Sequence, residues 1–376
     1  MSIKALVEVS RYYGRNGDFV LAGGGNTSFK DKNTLYVKGS GQSLADVDSG
    51  SFVKMDRKVL SEIWEQKYPR SNAEREKAVL AGMMAARKPG EEEKRPSVEA
   101  LLHDIMPFNF IVHLHPALVN GLTCSQQGEK AMTEIFGNEA IWIPSANPGY
   151  ILSKNVKIAM DKYAEKHHKV PAIIFLQNHG VFAGADSTDI IKEHYGSIIE
   201  KIKKKIKRHP DFSDEKILKQ NEIYSSPAAE IASELAELGE GTSAFMVNRE
   251  ILKLVKNKGS FCPVSSAFTP DHIVYAGSDP LFIKEGVYKK ALHNTWKNHV
   301  KKTGRNPKII AVQNLGIFSA GASEKSASLA LVLFKDAIRV AVYSESFGGQ
   351  LFMTPGKINF INNWEVERFR AGVLIK

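Results

Sequence analysis

Apolar residues along the chain come in two patterns that take turns: short runs with strand character and longer stretches at helical spacing. Ile3, Leu6, Val7 and Ser10 fall near one side of a helix over residues 3–13. Residues 18–22 and 34–38 then read as strands with a glycine-rich turn between them. Residues 56–86 carry a helical pattern broken at Pro69 and Arg70. In the stretch 96–103, Ser97 is a good N-cap, which predicts a helix with Glu99 in its first turn. Residues 108–112 and 140–143, and the apolar runs on either side of Gly180, predict further strands. Helical spacing returns at 118–122, 130–136, 156–168, 188–208 and 324–347. The alternation predicts an α/β chain.

Part of the pattern occurs twice. Leu176-Gln177-Asn178-His179-Gly180-Val181-Phe182 is echoed by Val312-Gln313-Asn314-Leu315-Gly316-Ile317-Phe318, each with an apolar strand before it and a long helix after it. This reads as a tandem duplication. We expect one unit over residues 1–222 and a second over 223–376, with the second unable to repeat the chemistry of the first because Leu315 replaces His179.

The candidate chemistry lies in the first unit. On a strand, side chains two apart share a face, so His113 and His115 converge on one point. There they can bind one cation or simply hydrogen-bond to backbone. His179, in a glycine-containing break between strands, offers a third nitrogen, and three histidines with an open position is the arrangement of a catalytic divalent metal. Glu99 precedes this strand either as a helix-capping carboxylate or as a ligand or general base. His103, one helical turn later, reads as a core or supporting residue, not a fourth ligand. Residues 23–28, Gly-Gly-Gly-Asn-Thr-Ser, and 39–43, Gly-Ser-Gly-Gln-Ser, are either plain turns or two sides of an anion pocket. In Thr269-Pro270-Asp271-His272 the aspartate reads as a turn cap.

Composition narrows the function classes. Cys124 and Cys262 are too few for a disulfide framework or a thiolate cage, so any metal rests on histidine and carboxylate, and a cytoplasmic location is expected. No run of about 18 apolar residues and no secretory leader pattern is present, so no membrane association is expected. The net charge of +10 is concentrated at residues 201–208, which read as the solvated end of a helix. With no basic–aromatic interleaving, nucleic acid is not expected as a partner.

Gly24-Gly25-Asn26-Thr27-Ser28, Lys38-Gly39-Ser40-Gly41, Pro96-Ser97-Val98-Glu99, His113-Leu114-His115-Pro116 and Asn178-His179-Gly180 stand in the order and spacing of the class II aldolase/adducin family. The resemblance covers roughly residues 1–210. The remainder resembles the aldolase portion of two-part rhamnulose-1-phosphate aldolase/dehydrogenase proteins, ending where their dehydrogenase begins. It implies a three-layer α/β/α fold with a central, mostly antiparallel sheet, present twice. It also implies a divalent metal, zinc before manganese, iron or cobalt, on His113, His115 and His179, with Glu99 as catalytic acid/base. Gly25, Asn26, Ser40, Gly41 and Ser97 would cradle a substrate phosphate. Val98 stands where many relatives carry a second serine. Tyr150 would be the acid at the aldehyde oxygen.

The implied reaction is cleavage of a ketose 1-phosphate, of rhamnulose or fuculose type, to dihydroxyacetone phosphate and an aldehyde such as lactaldehyde. The implied assembly is a homo-oligomer, and the implied partner is a small sugar phosphate. Sugar-phosphate 4-epimerases, usually with aspartate at the place of Glu99, and sugar-acid dehydratases or decarboxylases are the enzymatic alternatives. An adducin-like assembly module without metal is the non-enzymatic one.

Overall fold

The computed structural model describes residues 2–224, 227–286, 288–366 and 369. Its first sheet holds β1 (Asn26–Lys30), β2 (Thr34–Lys38), β3 (Phe52–Asp56), β4 (Phe110–Leu114), β5 (Ala140–Ile143), β6 (Ile173–Leu176) and β7 (Gly180–Ala185). The order across the sheet is β3-β2-β1-β4-β7-β6-β5. Every neighbouring pair is antiparallel except β5 with β6.

The two faces of β4 show why helices cover the sheet on both sides. Val112 and Leu114 pack with Leu6, Tyr13, Tyr195 and Ile198 of the helices Ser2–Gly14 and Thr188–Lys203. Ile111 packs oppositely, with Leu102, Leu152 and Val156 of the helices Ala100–Ile105 and Tyr150–His167. Side chains alternate along a strand, so His113 shares the face of Ile111. The imidazole is thereby turned into the layer that also carries Glu99.

The second sheet holds β8 (Lys216–Lys219), β9 (Thr242–Val247), β10 (Leu281–Ile283), β11 (Ile309–Val312) and β12 (Gly316–Gly321), in the order β10-β11-β12-β9-β8. Its strands β9, β12, β11 and β10 repeat the order and pairing senses of β4, β7, β6 and β5. The turns repeat too: Asn178 and Asn314 have φ of 58° and 59°. The amides of Gln177 and Gln313 donate to Ile143 O and Ile283 O at 3.0 and 2.9 Å.

Four expectations change. Residues 18–22 are not a strand: the segment turns, Phe19 N donating to Asn16 O, while its carbonyl accepts from His115 N. The place beside β4 belongs to Asn26–Lys30, of which the sequence placed residues 26–28 in a turn. Lys216–Lys219 pairs with β9, so the chain enters the second sheet ahead of the expected division at 222/223. Arg208 is not simply a solvated helix end, because it binds Glu250 at 2.9 Å and Glu345 at 2.6 Å and ties the halves together. The halves also meet where Asn178 Nδ2 donates to Leu351 O at 2.8 Å and Leu351 N to Cys124 O at 2.7 Å. Among the described residues, no helix is long and apolar enough to cross a membrane.

Candidate metal centre

β4 delivers His113, with His115 just beyond its end, and the β6–β7 turn delivers His179. Their ligating nitrogens all lie within 4.8 Å of one another. His113 Nε2 is 2.9 Å from His115 Nε2 and 3.4 Å from His179 Nε2. The far side of His113 faces Val181 O at 3.0 Å, and that of His115 faces Asp271 Oδ2 at 2.6 Å. A carbonyl or carboxylate oxygen only accepts, so each Nδ1 carries a proton, and in the neutral ring that leaves each Nε2 with a lone pair. Burial, followed by the neighbouring imidazoles, holds the His113 pKa well below its ordinary value, which keeps that ring neutral. Lone pairs aimed at one another repel unless a cation lies between them. The donor set therefore fits a divalent ion that favours imidazole.

Glu99 completes the group. Its Oε2 is 3.6 Å from His113 Nε2 and its Oε1 3.5 Å from His179 Nε2. It immediately precedes the helix Ala100–Ile105, with φ −95° and ψ 11°, and Ser97 Oγ accepts from its backbone amide at 3.3 Å. Its side chain is oriented from β1, where Asn26 lies opposite His113 and donates from Nδ2 to Glu99 Oε2 at 2.6 Å. The amide oxygen of Asn26 accepts from His103 Nε2, and His103 Nδ1 accepts from Ser28 Oγ at 2.7 Å. Burial, then Lys30 and Lys38, lowers the His103 pKa well below its ordinary value. A neutral His103 thus fixes Asn26, and Asn26 fixes the carboxylate.

Lys30 supports the same helix by donating from Nζ to His103 O at 2.7 Å, with the side chain nearly sealed from solvent. Burial lowers its pKa to about 7 against a partial opposing pull from Asp104. Above that pH the unfolded chain holds a proton that the folded chain has released. Stability therefore rises from about pH 7 toward the ordinary lysine range, by at most ~1.4 kcal/mol per unit. In denaturant titrations between pH 7 and 9, Lys30→Met is expected to flatten this slope. An unchanged slope would assign it elsewhere.

Gly25, Asn26, Ser40, Gly41 and Ser97 line one small cavity beside Glu99, together with Lys38, Val98 and Val366. The two glycine turns form its sides. Gly25 has φ +63°, and a Cβ there would lie 2.7 Å from His113 O, so the turn needs glycine. Lys38 stands in the Lys38-Gly39-Ser40-Gly41 motif but has no role assigned from the sequence. Its buried Nζ donates to Gln42 O at 2.7 Å and Gly23 O at 3.3 Å, joining the two turns. Its signal was a lysine ending a strand immediately before Gly-Ser-Gly.

Tyr150 is not among the residues lining this cavity. Its ring packs against Tyr68 and Trp64, with centroids 5.0 and 5.6 Å away, and its amide donates to Glu76 Oε2 at 3.0 Å. The start of the helix is held against the apolar layer under β2 and β3. Asp271 departs from its expected role in the opposite direction: the side chain is no turn cap but the hydrogen-bond acceptor of His115. No local pattern could have paired residues 156 positions apart.

Residues 4–196 match the family described as class II aldolase and adducin N-terminal domain. Along 98% of its length the chain is similar, at 22% identity, to an uncharacterized oxidoreductase, YuxG, of Bacillus subtilis (strain 168), and it spans 58% of that protein. Among solved structures it is similar to the N-terminal class II aldolase domain of a conserved protein from Thermoplasma acidophilum, with 26% identity and a TM-score of 0.46. That alignment covers 54% of this chain and 93% of the other. An L-fuculose 1-phosphate aldolase aligns over 54% of this chain and 86% of its own, at 20% identity and a TM-score of 0.36. The family match takes in half of the chain, including every histidine and carboxylate that the first sheet gathers, and this protein belongs to the class II aldolase/adducin family.

Proposed function

We propose that this protein is a metal-dependent aldolase that splits a ketose 1-phosphate, of rhamnulose or fuculose type, into dihydroxyacetone phosphate and an aldehyde such as lactaldehyde. One observation carries the reading: three imidazole Nε2 atoms converge beside a buried carboxylate, and a glycine–serine cavity lies next to that carboxylate. His113, His115 and His179 would hold the ion, zinc in first place. When bound, a divalent cation there supplies Lewis-acid polarisation of a substrate carbonyl.

The chain's own groups account for the remainder. Ser40, Ser97 and the amides around Gly25 and Gly41 offer donors to a phosphate, with Lys38 adding positive charge. Val98 lacks the second hydroxyl and has only its backbone N–H to offer. Glu99, oriented by Asn26, moves a proton to or from the carbon that becomes part of dihydroxyacetone phosphate. Tyr150, packed on Trp64 and Tyr68, takes no step in this proposal.

The second sheet is proposed to be a duplicated unit that has lost the chemistry. His113 faces Phe182 across β4 and β7, and Phe245 faces Phe318 across β9 and β12. The aromatic pair persists, at 3.9 Å for His113–Phe182 and 4.7 Å for Phe245–Phe318. Carrying the register along puts Phe245, Val247 and Leu315 at the places of His113, His115 and His179. All three belong to an apolar cluster with Ile231 and Leu235, which offers a cation no donor.

The test is to measure bound metal and then dihydroxyacetone phosphate release from a panel of ketose phosphates, with His115→Ala as control. The expected result is stoichiometric metal and product from at least one deoxy-ketohexose 1-phosphate, both lost in the control. Bound metal with no product from any of them would move the assignment to a dehydratase or decarboxylase. Absence of metal binding would move it to an assembly module.

A further inference from the structure

We propose that Asp271, contributed by the second unit, is the positioning residue of the metal centre. It orients His115 and makes the Nε2 of that ring a stronger donor to the cation. The inference rests on the reading of His113, His115 and His179 as metal ligands.

The two outer partners differ in kind. His113 donates to a neutral backbone carbonyl, whereas His115 donates to a carboxylate, which accepts the more strongly and leaves the opposite nitrogen the more basic. Asp271 is only 5% exposed, so little water competes for its Oδ2.

The first unit is shaped to receive this carboxylate. A Cβ at Gly24 would lie 2.5 Å from Asp271 Oδ2 and 3.2 Å from His115 Nδ1, so any larger residue there would press on the pair. The glycine turn therefore serves two purposes: Gly25 shapes the cavity, and Gly24 leaves space for a side chain from the other half.

Asp271 is also held from behind. The next residue, His272, is buried and pairs through Nε2 with Asp336 Oδ2 at 3.2 Å, on the helix Glu324–Ser344. That helix packs on Ala117–Thr123, which begins two residues after His115. Both ends of the His115–Asp271 bond thus belong to one packed interface. This gives the degenerate unit a use: with Phe245, Val247 and Leu315 where the first unit has its three histidines, it supplies the outer partner of one ligand in the active unit.

The full-length protein and the variants Asp271→Ala, Asp271→Asn and Gly24→Ala would be compared, with exposed Asp279→Ala as control. Zinc affinity is read by chelator competition, ligand geometry by the visible absorption of the cobalt(II) form, and folding by the melting temperature without metal. We expect zinc affinity to fall about 10–100-fold in Asp271→Ala and in Gly24→Ala. Asp271→Asn, which keeps an acceptor but loses the charge, should lose less, and the cobalt spectrum should change in all three. Asp279→Ala should match wild type throughout.

Affinities within about threefold of wild type in both Asp271 variants would overturn the proposal. If Asp271→Ala does not fold, Asp271→Asn, with nearly the same shape, decides by the same threshold. A wild-type protein that takes up no zinc would instead overturn the metal reading itself, a result distinct from equal affinities in wild type and variants.

Discussion

Replacing His179 with leucine is expected to abolish stoichiometric metal binding and to lower turnover by about 10³-fold or more, while the fold survives. Leucine is the informative choice because the protein already carries it in the matching turn. Leu315 N donates to Val312 O at 3.1 Å, as His179 N donates to Leu176 O at 3.2 Å. Asn314 ahead of it has the same left-handed φ as Asn178. The turn thus accepts leucine without strain, and what is lost is one of the three proposed nitrogen ligands. Lewis-acid assistance is worth several kcal/mol of transition-state stabilisation, and about 1.4 kcal/mol corresponds to a tenfold change in rate. Metal content, circular dichroism and steady-state rates measured on one preparation separate loss of the ion from loss of the fold. Metal held at wild-type affinity in His179→Leu would remove that residue from the ligand set.

Glu99→Gln is expected to keep the metal and lose the reaction. Glutamine has nearly the same shape, and Asn26 Nδ2 can donate to its amide oxygen as it donates to Glu99 Oε2 at 2.6 Å. The side chain then stays in place but can neither take up nor return a proton. Positioned general acid–base catalysis is worth about 10²–10⁴-fold, which sets the expected drop in turnover. A second readout is exchange of a carbon-bound proton of dihydroxyacetone phosphate with solvent deuterium, followed by NMR, which should stop in Glu99→Gln and continue in wild type. Exchange at the wild-type rate would show that another group moves this proton. Loss of metal in Glu99→Gln would make the carboxylate chiefly a ligand.

The two variants together divide the site by function. His179→Leu is expected to remove the cation with the proposed acid/base in place, and Glu99→Gln to remove that acid/base with the cation in place. Their effects should not add, because proton transfer at carbon depends on the polarisation that the ion supplies.

What the amino-acid sequence determined by itself was whatever has a local cause. An apolar, β-branched run marked the strand that leads to His113 and His115, two apart on one face, and the paired Gln-Asn turns pointed to a repeat in the second half. The glycine and serine turns and Glu99 were legible because each motif occupies a few consecutive residues. Only the tertiary structure decided which distant groups meet. It put Asp271 against His115, gave the strand place beside β4 to Asn26–Lys30 and left residues 18–22 as a turn. It turned Tyr150 into an apolar layer, and it set Phe245 opposite Phe318 as it set His113 opposite Phe182. These outcomes depend on strand order, register and the packing of one half on the other. Such pairings are set by burial summed over both sheets, and they leave no periodic trace in the neighbouring sequence.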